Sequence, residues 1–123
     1  MREIKFRGYN KLNKKWYYGC LSKPRSNSSI YTIYDEITTH YPINVEEDSI
    51  GQYTGFKDKN GKEIYEGDIV KTEKDKELCQ VIFCEYSGMW KLRDLNTYMG
   101  AMLNLEKCEV IGNIYEDKLK EEK

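Results

Sequence analysis

The chain has 123 residues, of which 33% are charged and 39% are hydrophobic, and its formal net charge is −1. This length fits one domain with a modest core that needs no disulfide or metal. The 13% aromatic content, mostly from 11 tyrosines, argues against disorder because such rings bury large areas on folding. No apolar run approaches the roughly 20 residues of a membrane-spanning helix, and the charged, alternating N-terminus is unlike a signal peptide. We therefore expect a cytoplasmic protein.

Positive and negative charges are divided unequally along the chain. Residues 1–25 hold eight bases and one acid, a net charge of +7, so the remaining residues carry a net charge of −8. Such opposed ends create complementary fields within one fold or between copies of it. The pI of about 5.9 is far below the value of about 9 or more that marks a dedicated nucleic-acid-binding domain.

The first 21 residues predict a β-hairpin. Residues 3–7 alternate polar and apolar side chains, which turns Ile4 and Phe6 toward a core and the charges toward water. A polar loop over residues 10–15 leads into residues 16–21, which restore strand composition. The hairpin gathers bases and aromatic rings into one candidate interaction surface. Its members are Arg2, Lys5, Arg7, Tyr9, Lys11, Lys14, Lys15 and Tyr17.

Residues 22–50 predict a surface loop, a strand and an irregular approach to the centre of the chain. The loop, over residues 22–29, is rich in serine. Residues 30–34 are β-branched or aromatic throughout, which predicts a strand, and residues 43–45 favour a short one. His40 lies in a turn-like setting, where a lone imidazole is more often a surface residue than a catalyst.

The stretch of residues 51–70, here called the signature stretch, organises the rest of the chain. Its pattern predicts a strand, a turn and a second strand. Asn60 and Gly61 predict the turn because both tolerate positive φ. Gly67 marks another change of direction just before a strand that begins near Ile69.

The sequence offers few candidates for catalysis or metal binding. Glu66 and Asp68 are close carboxylates, as are residues 46–48, but acid–base catalysis needs environments that separate their pKa values. Asp68 follows a glycine turn, where an aspartate typically bonds its own backbone. Serine nucleophile elbows, phosphate loops and dinucleotide motifs are absent. The four cysteines lack a Cys-x-x-Cys pair and are expected to be reduced. We expect no enzyme activity, cofactor, metal or small-molecule substrate.

The C-terminal half predicts further short strands. Residues 78–84 form the longest apolar run, which predicts a strand covered on both faces, and residues 89–93 alternate. Residues 98–105 favour a short helix or a loop, and residues 109–115 a last strand. Residues 116–123 are polar apart from Leu119, which predicts a frayed tail or a marginal helix.

Many short strands with turns at intervals of roughly ten residues predict an all-β domain rather than βαβ units. We expect a small barrel-like or sandwich-like domain of antiparallel strands, all-β or β-rich with at most one short helix. It would extend over residues 1–116, and residues 117–123 would form the C-terminal tail.

Three stretches carry a family resemblance. They are residues 2–7, the signature stretch from Gly51 to Val70, and residues 110–116. Each is similar to the corresponding part of the YopX family of phage and prophage proteins, and the resemblance spans nearly the whole chain. One departure is Gly8-Tyr9, where the family usually shows a small residue and then tryptophan. The resemblance implies a folded, mostly β domain encoded by a phage or prophage of a Gram-positive host, and it implies no reaction, cofactor or catalytic residue.

Two functions stay open from the sequence. The first is a protein-interaction or self-assembling module, in which the basic hairpin contacts an acidic face of a neighbouring copy or a host protein. Tyrosine is enriched at such interfaces. The alternative is weak binding of single-stranded nucleic acid, in which Tyr9, Trp16 and Tyr17 stack on bases while the lysines contact phosphates. No membrane partner is expected.

Overall fold

The computed structural model describes residues 3–26, 28–35, 41–72, 77–94, 100–101 and 105–121. Its strands are β1 (Phe6–Asn10), β2 (Lys15–Ser22), β3 (Tyr31–Tyr34), β4 (Ile43–Val45), β5 (Gly51–Lys57), β6 (Glu63–Tyr65), β7 (Asp68–Lys71), β8 (Leu78–Cys84), β9 (Met89–Asp94), β10 (Gly100–Ala101) and β11 (Glu109–Asn113). One α-helix, α1 (Ile114–Glu121), and two 3-10 turns, Glu47–Ser49 and Leu105–Lys107, complete the described elements.

The strands form two antiparallel sheets, and α1 is the single α-helix of the described ranges. The predicted all-β class with at most one short helix is therefore confirmed, and neither sheet closes on itself. Two compact units divide the chain, residues 1–53 and residues 54–123. The prediction of one domain over residues 1–116 stays a prediction.

The first unit is an antiparallel sheet in which the strands lie in the order β4-β3-β2-β1-β5. β1 and β2 form the predicted hairpin, with Tyr9 opposite Trp16. β3 places Ile33 opposite Ile43 of β4, and both side chains are buried together with Val45. These β-branched residues form the core of the unit because alternate positions of a strand face the same side of the sheet.

The predicted orientation of the first strand is partly wrong. Ile4 precedes β1 and is 64% exposed, whereas Arg7 is only 7% exposed. The guanidinium carbon of Arg7 lies 4.9 Å from the ring centroid of Trp16, on the neighbouring strand. Stacking on an aromatic face and an apolar side-chain stem suit an arginine to a buried strand position. The alternation of charged and apolar residues along the sequence does not reveal that Arg7 is buried.

The chain after β4 covers the end of β1 that β5 does not reach. The Glu46 N–H donates to the Tyr9 carbonyl at 2.9 Å, and the Tyr9 N–H donates to Ser49 Oγ at 2.8 Å. Asn10 Nδ2 donates to the Asn44 carbonyl at 2.8 Å. Backbone groups that an open edge would offer to another strand are thus occupied.

In the second unit β6 lies beside the end of β5, and the remaining strands lie in the order β10-β9-β8-β7-β11. The core consists of Ile64, Val70, Cys79, Val81, Leu92, Leu105 and Cys108. The prediction that β8 is covered on both faces is wrong. Cys79 and Val81 are buried, but the opposite face is half-buried and Phe83 is exposed, because the β8–β9 hairpin extends past the core.

The turn predicted at Asn60 and Gly61 is present, but only Gly61 takes the predicted positive φ, and Asp58 organises the turn. Gly61 has φ +83°, and its N–H donates to the Asp58 carbonyl at 3.0 Å. The buried Asp58 carboxylate accepts the N–H of Asn60 at 2.8 Å and of Lys62 at 2.9 Å through Oδ1. Its Oδ2 accepts the N–H of Val110 at 2.9 Å. One side chain therefore ties the turn to β11.

Because of the Asp58 carboxyl group, we expect the folded protein to lose stability in acid. Burial raises its pKa, but the three backbone donors and the charge of Lys62 outweigh burial and hold the pKa below the ordinary 3.8. Because the folded-state pKa is below that of the unfolded chain, the stabilisation is present above the unfolded value and is lost as pH falls through the folded one. Urea unfolding between about pH 2 and 6 should show this loss in the wild type and a smaller loss in Asp58→Asn. Equal pH dependence in the two proteins would contradict this.

The second glycine turn of the signature stretch is also structural. Asp68 is fully buried, and its Oδ2 accepts the Tyr65 N–H at 2.7 Å. The Gly67 N–H donates to the Val81 carbonyl at 2.9 Å, and the Gly67 carbonyl accepts the Ile114 N–H at 3.0 Å. The turn therefore joins β8 to the start of α1, as expected of an aspartate that bonds local backbone.

The last predicted strand, over residues 109–115, is wrong at its end. β11 ends at Asn113, whose Oδ1 accepts the Glu116 N–H at 2.8 Å. This is the geometry of a helix N-cap, and α1 begins directly after it. Within the predicted helix or loop of residues 98–105, the described residues are Gly100 and Ala101, which form β10, and Leu105, which begins a 3-10 turn. The other residues of that segment lie outside the described ranges.

Candidate interaction surface

The loop that joins β1 to β2 is built by Asn10. Its Oδ1 accepts the Asn13 N–H at 2.7 Å, and its carbonyl accepts the Lys14 N–H at 2.8 Å. Lys14 has φ +58°, the left-handed conformation that closes the turn. Lys11 and Leu12 are thereby held at the tip of the hairpin, where Leu12 is 91% exposed.

A groove of about 720 Å³, here called the tip groove, lies within the first unit beside this loop. Lys11 and Leu12 line it from the hairpin, and Glu46 and Glu47 line it from the segment after β4. Ile30, which is half-exposed, adds a second apolar side chain. The groove thus has a basic, apolar side and an acidic side.

The opposed charges of the tip groove do not satisfy each other. Among the residues that the structure describes, the side chains of Lys11, Glu46 and Glu47 form no ion pair, and all three are exposed. Exposed charges that face a shared groove are available to a partner, and complementary potentials steer association.

A second cavity of the first unit, here called the aromatic cleft, has a volume of about 470 Å³. It is lined by Lys15, Trp16, Tyr17, Tyr18, Asp35, Tyr41 and Ile43. Tyr41 is 63% exposed and Tyr18 is 43% exposed, whereas Ile43 is buried. Among the described residues, the lining thus includes four aromatic residues, Lys15 and Asp35.

The structure divides the predicted surface into two groups. Lys11, Lys14 and Lys15 are exposed around the hairpin tip, as the pattern indicates. Tyr17 lines the aromatic cleft, and its hydroxyl accepts a hydrogen bond from Asn13 Nδ2 at 3.0 Å. Lys11 lines the tip groove, Lys15 and Tyr17 line the aromatic cleft, and Lys14 lines neither, so these residues do not form one continuous surface.

The other predicted members contact the protein itself. Arg7 is buried on Trp16, and the ring of Tyr9 meets the edge of Trp16 with 5.3 Å between centroids. Lys5 Nζ lies 3.5 Å from Glu3 and 5.1 Å from the centroid of the Tyr53 ring. Arg2 lies outside the described residues.

Sequence reasoning missed the residues that complete both cavities. Glu46, Glu47 and Ile30 lie far from the hairpin in sequence, as do Asp35 and Tyr41. These residues reach the hairpin because β3 pairs with β2 and β4 pairs with β3. The one local pattern that pointed to them was the acidic run of residues 46–48, which is exposed.

The described residues contain no group of three or more His, Cys, Asp or Glu side chains placed to hold a metal ion. His40 lies outside the described residues. None of the helices within the described ranges has the length and apolar character needed to span a bilayer.

Comparison with known proteins identifies the family. The model of the YopX protein family matches residues 5–119, which is nearly the whole chain. A solved structure, protein EF1440 from Enterococcus faecalis, is similar with a TM-score of 0.53 and 18% sequence identity, over 96% of this chain and 97% of that one. At that identity the likeness shows the fold alone. No curated protein matches the chain. The chain is a member of the YopX family.

Proposed function

We propose that this YopX protein is a non-enzymatic phage or prophage accessory protein that self-associates through the tip groove in the host cytoplasm. The observation that carries the proposal is the pair of opposite walls of that groove, with Lys11 and Leu12 on one side and Glu46 and Glu47 on the other. The phage setting rests on the family resemblance.

A groove with one basic and one acidic wall is self-complementary about a two-fold axis. In a two-fold dimer, the same surface patch of each copy contacts that patch of the other copy, so the patch must complement itself. Lys11 of each copy would face Glu46 and Glu47 of its partner, and each Leu12 would enter the partner's groove beside Ile30. Every contact would then occur twice.

Side chains, rather than strand addition, would make this contact. β1 pairs with β2 and β5, its end is covered by Glu46 and Ser49, and the Val110 N–H of β11 already donates to the Asp58 carboxylate. Occupied edges disfavour pairing between sheets of different copies. The exposed charges of the tip groove and its apolar side chain, Leu12, suit an interface made by side chains.

The carboxylates of the signature stretch support a non-enzymatic role. Asp58 accepts three backbone N–H groups, and Asp68 is buried against the Tyr65 N–H. The backbone donors hold the pKa of Asp58 below its ordinary value, which makes this carboxylate a poor general base or acid near neutral pH.

Leu12→Asp should raise the dissociation constant of the dimer by more than about tenfold, because burial of a leucine side chain contributes roughly 1.5–3 kcal/mol and occurs twice. Sedimentation equilibrium at low salt would measure it, with the wild type approaching twice the chain mass of 14.6 kDa as concentration rises.

Ile4→Asp is the matched control, because Ile4 is also an exposed aliphatic side chain of the first unit but does not line the groove. It should dimerise like the wild type. A wild type that stays monomeric at high concentration and low salt would overturn the proposal, and so would equal weakening by both substitutions.

A further inference from the structure

We infer that Asn10 is a positioning residue for self-association, which fixes the basic, apolar wall of the tip groove relative to its acidic wall. The inference rests on the proposed function, because it concerns how the groove is prepared for a second copy. Asn10 is the last residue of β1 and itself lines the groove.

The side chain of Asn10 forms hydrogen bonds with two different segments of the first unit. Its Oδ1 accepts the Asn13 N–H at 2.7 Å, within the loop at the tip of the hairpin. Its Nδ2 donates to the Asn44 carbonyl at 2.8 Å, on β4, the strand that leads to Glu46. One amide group therefore connects the hairpin loop to the strand that precedes the acidic wall.

The acidic wall is itself tied to β1 next to Asn10. The Glu46 N–H donates to the Tyr9 carbonyl at 2.9 Å, and the Tyr9 N–H donates to Ser49 Oγ at 2.8 Å. Ser49 Oγ in turn donates to the Glu46 carbonyl at 2.6 Å. These bonds fix the segment after β4 on β1, and the side chain of Asn10 extends the connection to the loop.

A loop that is already ordered loses less conformational entropy when it binds, so this connection strengthens association. Leu12 is 91% exposed, which means that the backbone of the loop, rather than packing, sets the position of its side chain. Lys11 is exposed beside it. Both copies of a two-fold dimer present the same loop, so the effect of Asn10 occurs twice.

Asn10→Ala tests the inference. The hydrogen bond from the Lys14 N–H to the Asn10 carbonyl belongs to the backbone and is kept, so the hairpin still closes. In sedimentation equilibrium the dissociation constant of the dimer should rise by roughly 5- to 50-fold, the effect of ordering exposed side chains only on binding.

Asn44→Ala is the matched control. Asn44 also lines the groove, but it contributes its backbone carbonyl to the bond with Asn10, and alanine keeps that carbonyl. This variant should dimerise within about twofold of the wild type, as an exposed substitution does. Equal weakening by Asn10→Ala and Asn44→Ala would overturn the inference.

A double-mutant cycle separates positioning from a general structural role. If Asn10 acts through Leu12, Asn10→Ala should weaken the dimer less in a Leu12→Ala background than in the wild type, because coupled residues are not additive. Fully additive effects of the two substitutions would overturn the inference.

Limited proteolysis measures the order of the loop without a dimer. Trypsin cleaves after lysine, and Lys11 and Lys14 are both exposed in the loop. In dilute, monomeric protein, Asn10→Ala should speed cleavage after these two lysines by at least about threefold, and Asn44→Ala should not. Faster cleavage at lysines throughout the chain would assign Asn10 to the fold as a whole and would overturn the inference.

The two measurements together tell the inference from the proposed function. A wild type that stays monomeric overturns the proposed function, and this inference with it. A wild type that dimerises, with unchanged cleavage of the loop in Asn10→Ala, overturns the inference alone.

Discussion

Replacing Asp58 by alanine should lower the free energy of unfolding by about 3 kcal/mol or more, because hydrogen bonds to a charged acceptor contribute roughly 1.5–3 kcal/mol each. The carboxylate accepts three backbone N–H groups, from Asn60, Lys62 and Val110. Alanine leaves these donors without their acceptor, and the turn loses its link to β11. Urea denaturation followed by circular dichroism measures the change.

Two further variants define the cause. Glu85→Ala removes an exposed carboxylate from a turn of the same unit and should change the free energy of unfolding by less than about 0.5 kcal/mol. Asp58→Asn keeps one carbonyl oxygen but places an NH2 group where a second acceptor is needed. Its free energy of unfolding should therefore lie between those of the wild type and Asp58→Ala. A loss below about 1 kcal/mol for Asp58→Ala would show that the side chain does not organise the turn.

Gly19→Ala should destabilise the protein by about 3 kcal/mol, since overpacking against fixed atoms costs roughly 1–3 kcal/mol and a strained backbone adds to it. A Cβ at this position would overlap the backbone carbonyl oxygen of Tyr34 on β3, and the φ of Gly19 is +156°. Backbone atoms within a paired sheet do not move aside as a flexible side chain does. The β2–β3 pairing, which carries the core of the first unit, would be displaced.

Gly112→Ala is the matched control for Gly19→Ala. Gly112 also lies in a strand, but a Cβ there would meet nothing within 4 Å. Its effect on the thermal unfolding midpoint should be small. Similar midpoints for the two alanine variants would mean that β2 and β3 do not approach as closely as described.

The turns of this fold can be predicted from sequence because their chemistry is local. Asn60-Gly61 and Gly67 are recognised by residue type alone, and the structure places both in the turns expected. The role of Asp58 is different. Its third donor comes from Val110, 52 residues away, and no local pattern reveals that contact.

The wrong predictions also arise from contacts that a local sequence pattern does not reveal. Arg7 reads as a surface charge until Trp16 is placed across the hairpin, and Ile114 reads as strand until Asn113 is seen to cap a helix. Of the candidate surface, the exposed lysines can be predicted from sequence. The cavities they border cannot, because β3 and β4 supply the opposite walls through long-range pairing.

A charge exchange between two variants tests self-association through the tip groove. Lys11→Glu places like charges against the acidic wall of the partner, and Glu47→Lys places like charges against its basic wall. Each variant alone should therefore dimerise less well than the wild type. When they are mixed, one contact of a two-fold dimer is that of the wild type, and the other places the carboxylate of Lys11→Glu opposite the ammonium group of Glu47→Lys.

Sedimentation equilibrium of the two variants, alone and mixed in equal amounts at low salt, gives the answer. We expect each variant alone to associate more weakly than the wild type, and the mixture to recover a mass near twice the 14.6 kDa of one chain. A mixture that stays as monomeric as its components, or variants that associate as strongly as the wild type, would contradict it.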